Sequence, residues 1–81
     1  MATWTENTLY LPNIIWVQTL DDVYTCYVRR LPGKQGNLRM IDAEDNIILN
    51  EIIPLAGTGN DGVSPMADLA SWKETCINKI A

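Results

Sequence analysis

The sequence predicts an α+β fold: a small antiparallel sheet or partial barrel of four to five strands, packed against one C-terminal helix. Three observations carry this. Between Ile14 and Ile53 the chain runs in short stretches rich in β-branched and aromatic residues, punctuated by Asp, Asn, Gly and Pro, which is the rhythm of strands and turns. From Ser64 the period changes: Met66, Leu69, Trp72, Cys76 and Ile80 recur at spacings of three and four, the stripe of an amphipathic helix. The chain has 81 residues, enough for one domain, 1–81, and too few for two.

Each element has its own warrant. Residues 1–7 read as an N-terminal arm, polar except for Trp4. Antiparallel strands are expected within 8–55. The first, Thr8 to Leu11, is stopped by Pro12, which has no N–H for a ladder. Ile14 to Leu20 is a stronger strand because Ile14, Ile15, Trp16 and Val17 favour extended backbone. Asp21 and Asp22 form a two-residue turn, since Asp tolerates positive φ, and Val23 to Arg30 returns as the partner strand with Tyr24, Cys26 and Val28 on its buried face. Leu31 to Asn37 reads as a loop marked by Pro32-Gly33 and Gly36. Leu38 to Asp42 and Ile47 to Ile53 pair around the polar turn 43–46. A Gly-rich loop follows over 56–63. The helix over 64–80 has Ser64 as N-cap and Pro65 at its first position, where a missing N–H costs nothing. Asp68 near its start and Lys73 and Lys79 toward its end suit the helix dipole.

Composition narrows the function. The hydrophobic fraction is 47% and the charged fraction 20%, values of a folded chain. Six basic against ten acidic residues give a net charge of −4, which argues against nucleic acid as a partner, since phosphate binding needs a basic surface. The basic residues Arg29, Arg30 and Lys34, with Arg39 nearby, are expected as solvated strand ends and turn. Residues 1–4 carry no basic or apolar leader, and no apolar run is long enough for a membrane span. Cytoplasmic synthesis without export is the expectation, or a place in a virion if the chain is phage-encoded. In a reducing compartment Cys26 and Cys76 are expected as buried free thiols.

The chemistry of catalysis is thin. The chain has no histidine, which removes the commonest general base and every Ser-His or Cys-His pair. Two cysteines without histidine do not complete a structural zinc site. Gly57-Thr58-Gly59-Asn60-Asp61-Gly62 spells the dinucleotide fingerprint, but the fingerprint needs a parallel strand after its helix and an acid for the ribose. The helix here is the last element, and Asp61 would repel phosphate. Asp42 to Asn46 is rich in carboxylates, yet a calcium loop starting at Asp42 needs Gly and Glu where Ile47 and Ile53 stand. No catalytic, cofactor-binding or metal-binding residue is assigned, no cofactor is expected, and the chain reads as a non-enzyme.

Interaction residues are the remaining candidates. Trp4 and Tyr10 lie near a terminus, and an apolar arm either tucks onto its own sheet or reaches a neighbour, where Trp and Tyr are favoured anchors. Asp21, Asp22, Arg29 and Arg30 complete the set.

The run Asn37-Leu38-Arg39-Met40-Ile41-Asp42-Ala43-Glu44-Asp45-Asn46-Ile47-Ile48-Leu49-Asn50-Glu51-Ile52-Ile53-Pro54-Leu55-Ala56-Gly57 resembles the hairpin of small phage baseplate plug proteins. Tyr27-Val28-Arg29-Arg30 before a Pro-Gly loop fits the same layout. The resemblance spans roughly a third of the chain, and residues 58–63 and the C-terminal helix depart from it. It implies a small β-rich virion component near the tail tip that works by packing. The functional expectation is therefore a structural or assembly protein with a protein partner or a homo-oligomeric state. The alternative is a small acidic inhibitor that blocks a host or phage enzyme. A third expectation, a nucleotide module using Gly57 to Gly62, predicts thermal stabilisation by a nucleotide.

Overall fold

A computed structural model describes residues 2–55 and 65–81, with the backbone alone for 65–68. Five strands form one open antiparallel sheet in chain order: β1 (Trp4–Glu6), β2 (Ile14–Leu20), β3 (Tyr24–Leu31), β4 (Gln35–Ile41) and β5 (Ile47–Pro54). One helix, α1 (Pro65–Ile80), follows. The α+β expectation is met in its open-sheet form, with β1 and β5 as the two outer strands. The Gly57–Gly62 loop and the Ser64 cap lie outside the described residues.

The register assigns the faces. Trp4 pairs with Leu20, Trp16 with Val28, Cys26 with Met40, and Met40 with Leu49. Opposed residues of an antiparallel pair share a side, so one face carries Trp4, Trp16, Leu20, Cys26, Val28, Leu38, Met40 and Leu49. Trp72 and Cys76 of α1 join that face in one core, flanked by Leu69, Ile77 and Ile80. Two bulges widen it. The register shifts between Ile14 and Trp16 and again between Met40 and Ile41, which makes Ile15 and Ile48 extra residues in their strands. Both pack against the core beside Trp16 and Leu49. Consecutive apolar residues, unusual in a sheet with one solvated face, thus serve one core.

Three expectations change. Residues 4–6 of the arm form β1, whereas Thr8 to Leu11 lies outside any strand. Trp4-Thr5-Glu6 pairs along Leu20-Thr19-Gln18, and Asp21 clamps the chain before it: its N–H donates to the Thr3 carbonyl and its Oδ1 accepts from the Thr3 N–H, both at 2.8 Å. The turn after β2 spans Asp21 to Val23, and β3 begins at Tyr24. Asp21 and Asp22 hold φ of 54° and 57°, the positive pair that a primed hairpin turn requires. β4 begins at Gln35, not Leu38, because Pro32, Gly33 (φ 81°) and Lys34 make the turn by themselves.

Gly36 therefore sits inside the ladder, and only glycine fits there. A Cβ would lie 2.9 Å from Val28 Cγ1 and 3.1 Å from Leu55 Cδ2. Gly36→Ala is expected to destabilise the fold by about 1–3 kcal/mol through overpacking, read as a lowered midpoint in urea at constant slope.

The two thiols meet where α1 crosses the sheet. Cys26 and Cys76 are both free and fully buried. The hydrogen bond with Cys76 and then burial push Cys26 above the ordinary thiol range, while the same bond lowers Cys76. With no solvent access, neither thiol is expected to react with a disulfide reagent in the native protein. Labelling should appear only on unfolding, and rapid labelling of the native protein would contradict this packing.

Candidate interaction surface

The sequence-predicted residues separate in space. Trp4 tucks onto its own sheet. Its ring centroid is 5.7 Å from that of Trp16, tilted by 51°, and Trp16 in turn packs against Trp72 at 5.7 Å, tilted by 45°. Lys73 Nζ lies 5.4 Å above the Trp4 ring, a cation–π geometry. Trp4 thus seals the seam between β1 and α1. Tyr10, by contrast, is 92% exposed in the connection between β1 and β2. Asp21 is occupied by Thr3, and Asp22 is exposed beside it. Arg29 is half-buried on the face opposite the helix, and Arg30 is exposed, its backbone N–H donating to the Asn13 carbonyl at 2.8 Å.

The meander sorts charge by end. The turns after β2 and β4 lie at one end of the sheet, and the turn after β3 lies at the other. Asp21, Asp22, Asp42, Glu44 and Asp45 thereby share one end, while Arg29, Arg30 and Lys34 share the opposite one. At the acidic end Asp42 builds its own turn. Its Oδ1 accepts from the N–H groups of Glu44 and Asn46, both at 2.9 Å, and its Oδ2 accepts from Asn46 Nδ2 at 3.3 Å. The Asn46 backbone bond, followed by those from Glu44 and the Asn46 side chain, holds the Asp42 carboxyl below its ordinary value of 3.8. A depressed carboxyl contributes stability above its unfolded value and loses it as pH falls through its folded value. Asp42→Asn is therefore expected to remove part of the destabilisation that this carboxyl would bring below about pH 4, measured as the slope of unfolding free energy against pH. An unchanged slope would contradict the assignment.

The face of the sheet away from α1 carries a polar centre. Asn37 is only 6% exposed. Its Nδ2 donates to Asn50 Oδ1 at 2.7 Å and to the Glu51 carbonyl at 3.1 Å. Arg39 adds a bond to Asn50 Oδ1 at 3.3 Å and a longer one to Tyr27 Oη at 3.4 Å. These bonds fasten β5 to β4 from its inner side. They are satisfied within the sheet, so this cluster reads as structural.

The outer side of β5 is different. No strand pairs with it among the described residues. The Leu55 N–H donates to the Lys34 carbonyl at 2.9 Å, and the register then places the bonds of Ile53, Glu51 and Leu49 toward β4. The backbone groups of Asn50 and Ile52 point outward. Ile47 and Ile52 are 52% and 59% exposed, so the edge is apolar as well as unpaired. Such an edge invites another strand. Contact through an uncovered sheet edge is the mode the sequence suggests, but no residue of β5 is among the sequence-predicted contacts, although Asn50-Glu51 inside an apolar run is a visible signal.

Among the described residues, no group of three or more His, Cys, Asp or Glu could hold a metal ion. Among the same residues, no helix is long and apolar enough to cross a membrane. No family model, curated protein or solved structure matches the chain.

Proposed function

We propose that the chain is a small non-enzymatic structural or assembly protein that works through protein–protein contacts, with β5 as its contact strand. The outward backbone of Asn50 and Ile52, beside exposed Ile47 and Ile52, is the observation that supports it. Strand addition draws affinity from main-chain hydrogen bonds and specificity from alternate side chains. The resemblance of residues 37–57 to the plug hairpin gives this reading a setting, a phage tail tip. The test is sedimentation from the native source, followed by mass spectrometry. The chain should travel at fixed stoichiometry in an assembly far above its own 9.1 kDa, and Ile52→Pro, which removes an outward N–H without touching the β4 ladder, should release it. Recovery only at the mass of the free chain would overturn it.

A second reading is favoured by the gathering of five acids at one end. A basic enzyme cleft is the natural target of such a pole, which makes the chain a small acidic inhibitor. Asp22→Lys, in the turn after β2 and away from β5, should weaken inhibition and leave edge-dependent assembly intact. Ile52→Pro should do the reverse.

A further inference from the structure

We infer that the strand completing the β5 edge is the β5 of a second copy, in antiparallel register centred on Asn50. This rests on the reading of β5 as a contact strand and adds the partner's identity. Three features of the edge select a second copy. The first is the register itself. A two-fold axis normal to the sheet keeps like faces together, so only pairings with the same residue at the centre are open. Centring on Glu51 sets two like charges directly opposite each other, which is destabilising. Centring on Ile52 places Pro54, which has no N–H, opposite Asn50 and loses a bond there. Centring on Asn50 avoids both. The two Asn50 residues then exchange backbone hydrogen bonds, each Ile52 N–H faces the other copy's Ile48 carbonyl, and each Glu51 lies opposite Leu49.

Charge is the second feature. In this register the acidic end of one copy meets the basic end of the other. The turn holding Glu44 and Asp45 comes beside Lys34, which neighbours Leu55 through the Leu55–Lys34 backbone bond. This end-to-end exchange offsets the repulsion expected between two chains of net charge −4. The third feature is the opposite edge. β1 has three residues against eight in β5, and a head-to-tail pairing of β5 on β1 would be short and would leave open ends. The isologous pairing closes on itself as a dimer with one ten-stranded sheet, twice the five strands of one chain.

An edge pairing of this length belongs with small interfaces, so the dimer is expected to be reversible. Sedimentation equilibrium of the full chain should show twice the 9.1 kDa mass by about 1 mM, and a weaker dimer at high salt because the turn charges are exposed. Lys34→Glu should weaken dimerisation at least tenfold, and Ile52→Pro should abolish it with the far-ultraviolet spectrum unchanged. Register is read by crosslinking. Asn50→Cys should form a disulfide-linked dimer under mild oxidation and Glu51→Cys should not, since Cys26 and Cys76 are buried. A dimer crosslinked through Glu51→Cys alone, or one indifferent to Ile52→Pro, overturns the inference. So does a strict monomer, and amide exchange then separates the two levels. Fast exchange at Asn50 and Ile52 in that monomer leaves the contact-strand reading standing. Slow exchange there removes both.

Discussion

Replacing Trp72 with alanine is expected to lower the unfolding free energy by about 3–5 kcal/mol. Trp72 is the helix residue on which the two layers meet: it is almost fully buried and packs at a tilt against Trp16, which packs against Trp4. Removing it opens a cavity between α1 and the sheet and leaves Cys76, with half-buried Leu69, Ile77 and Ile80, to hold the helix. A small domain has only about 5–10 kcal/mol in hand, so the variant should be largely unfolded at modest temperature or should retain the sheet with a frayed helix. Urea titration followed by circular dichroism distinguishes these outcomes. Trp72→Phe should recover much of the loss, because it refills most of the volume. A cost below about 1 kcal/mol for the alanine variant would mean that α1 is not packed as described.

The second large effect belongs to the centre of the sheet. Leu38 is fully buried, lies opposite Val28 and Glu51, and belongs to the cluster shared by sheet and helix. Leu38→Ala is expected to cost about 2–5 kcal/mol, and Leu38→Met less than about 1.5, since the latter conserves volume. Leu38 and Trp72 belong to one core, so the double variant should depart from additivity. Equal effects from the alanine and methionine substitutions would show that volume does not govern this site.

Much of the fold was legible because local chemistry and tertiary demand agree. Ile14 to Leu20 is rich in β-branched residues and sits in the sheet, and the Leu69–Trp72–Cys76–Ile80 stripe faces the core of the helix–sheet interface. The differences arise where long-range packing outweighs local preference. Thr5 and Glu6 carry no strong strand signal, yet Trp4 docks on Trp16 and the Asp21 clamp on Thr3 draws them into β1. Gly36 looks like a loop residue but is required inside β4 by the close approach of Val28 and Leu55. Ile15-Trp16 and Ile48-Leu49 break the two-residue alternation because of bulges, which leave no local mark.

The interaction surface was less legible for a related reason. Aromatic residues near the terminus drew attention to Trp4, which the fold uses internally. The edge that matters depends on strand order, a global property, and on which backbone groups of β5 turn outward. The grouping of Asp21 and Asp22 with Asp42, Glu44 and Asp45 likewise follows from the meander alone.

Residue-resolved amide exchange along β5, in dilute solution, tests the open edge most directly. The outward groups should alternate with the inward ones: Asn50 and Ile52 exchange fast, while Leu49, Glu51 and Ile53 are protected by β4. Raising the concentration should then protect Asn50 and Ile52 selectively. Uniform protection across Leu49 to Ile53 in the dilute chain would contradict an open edge, and with it the reading of β5 as a contact strand.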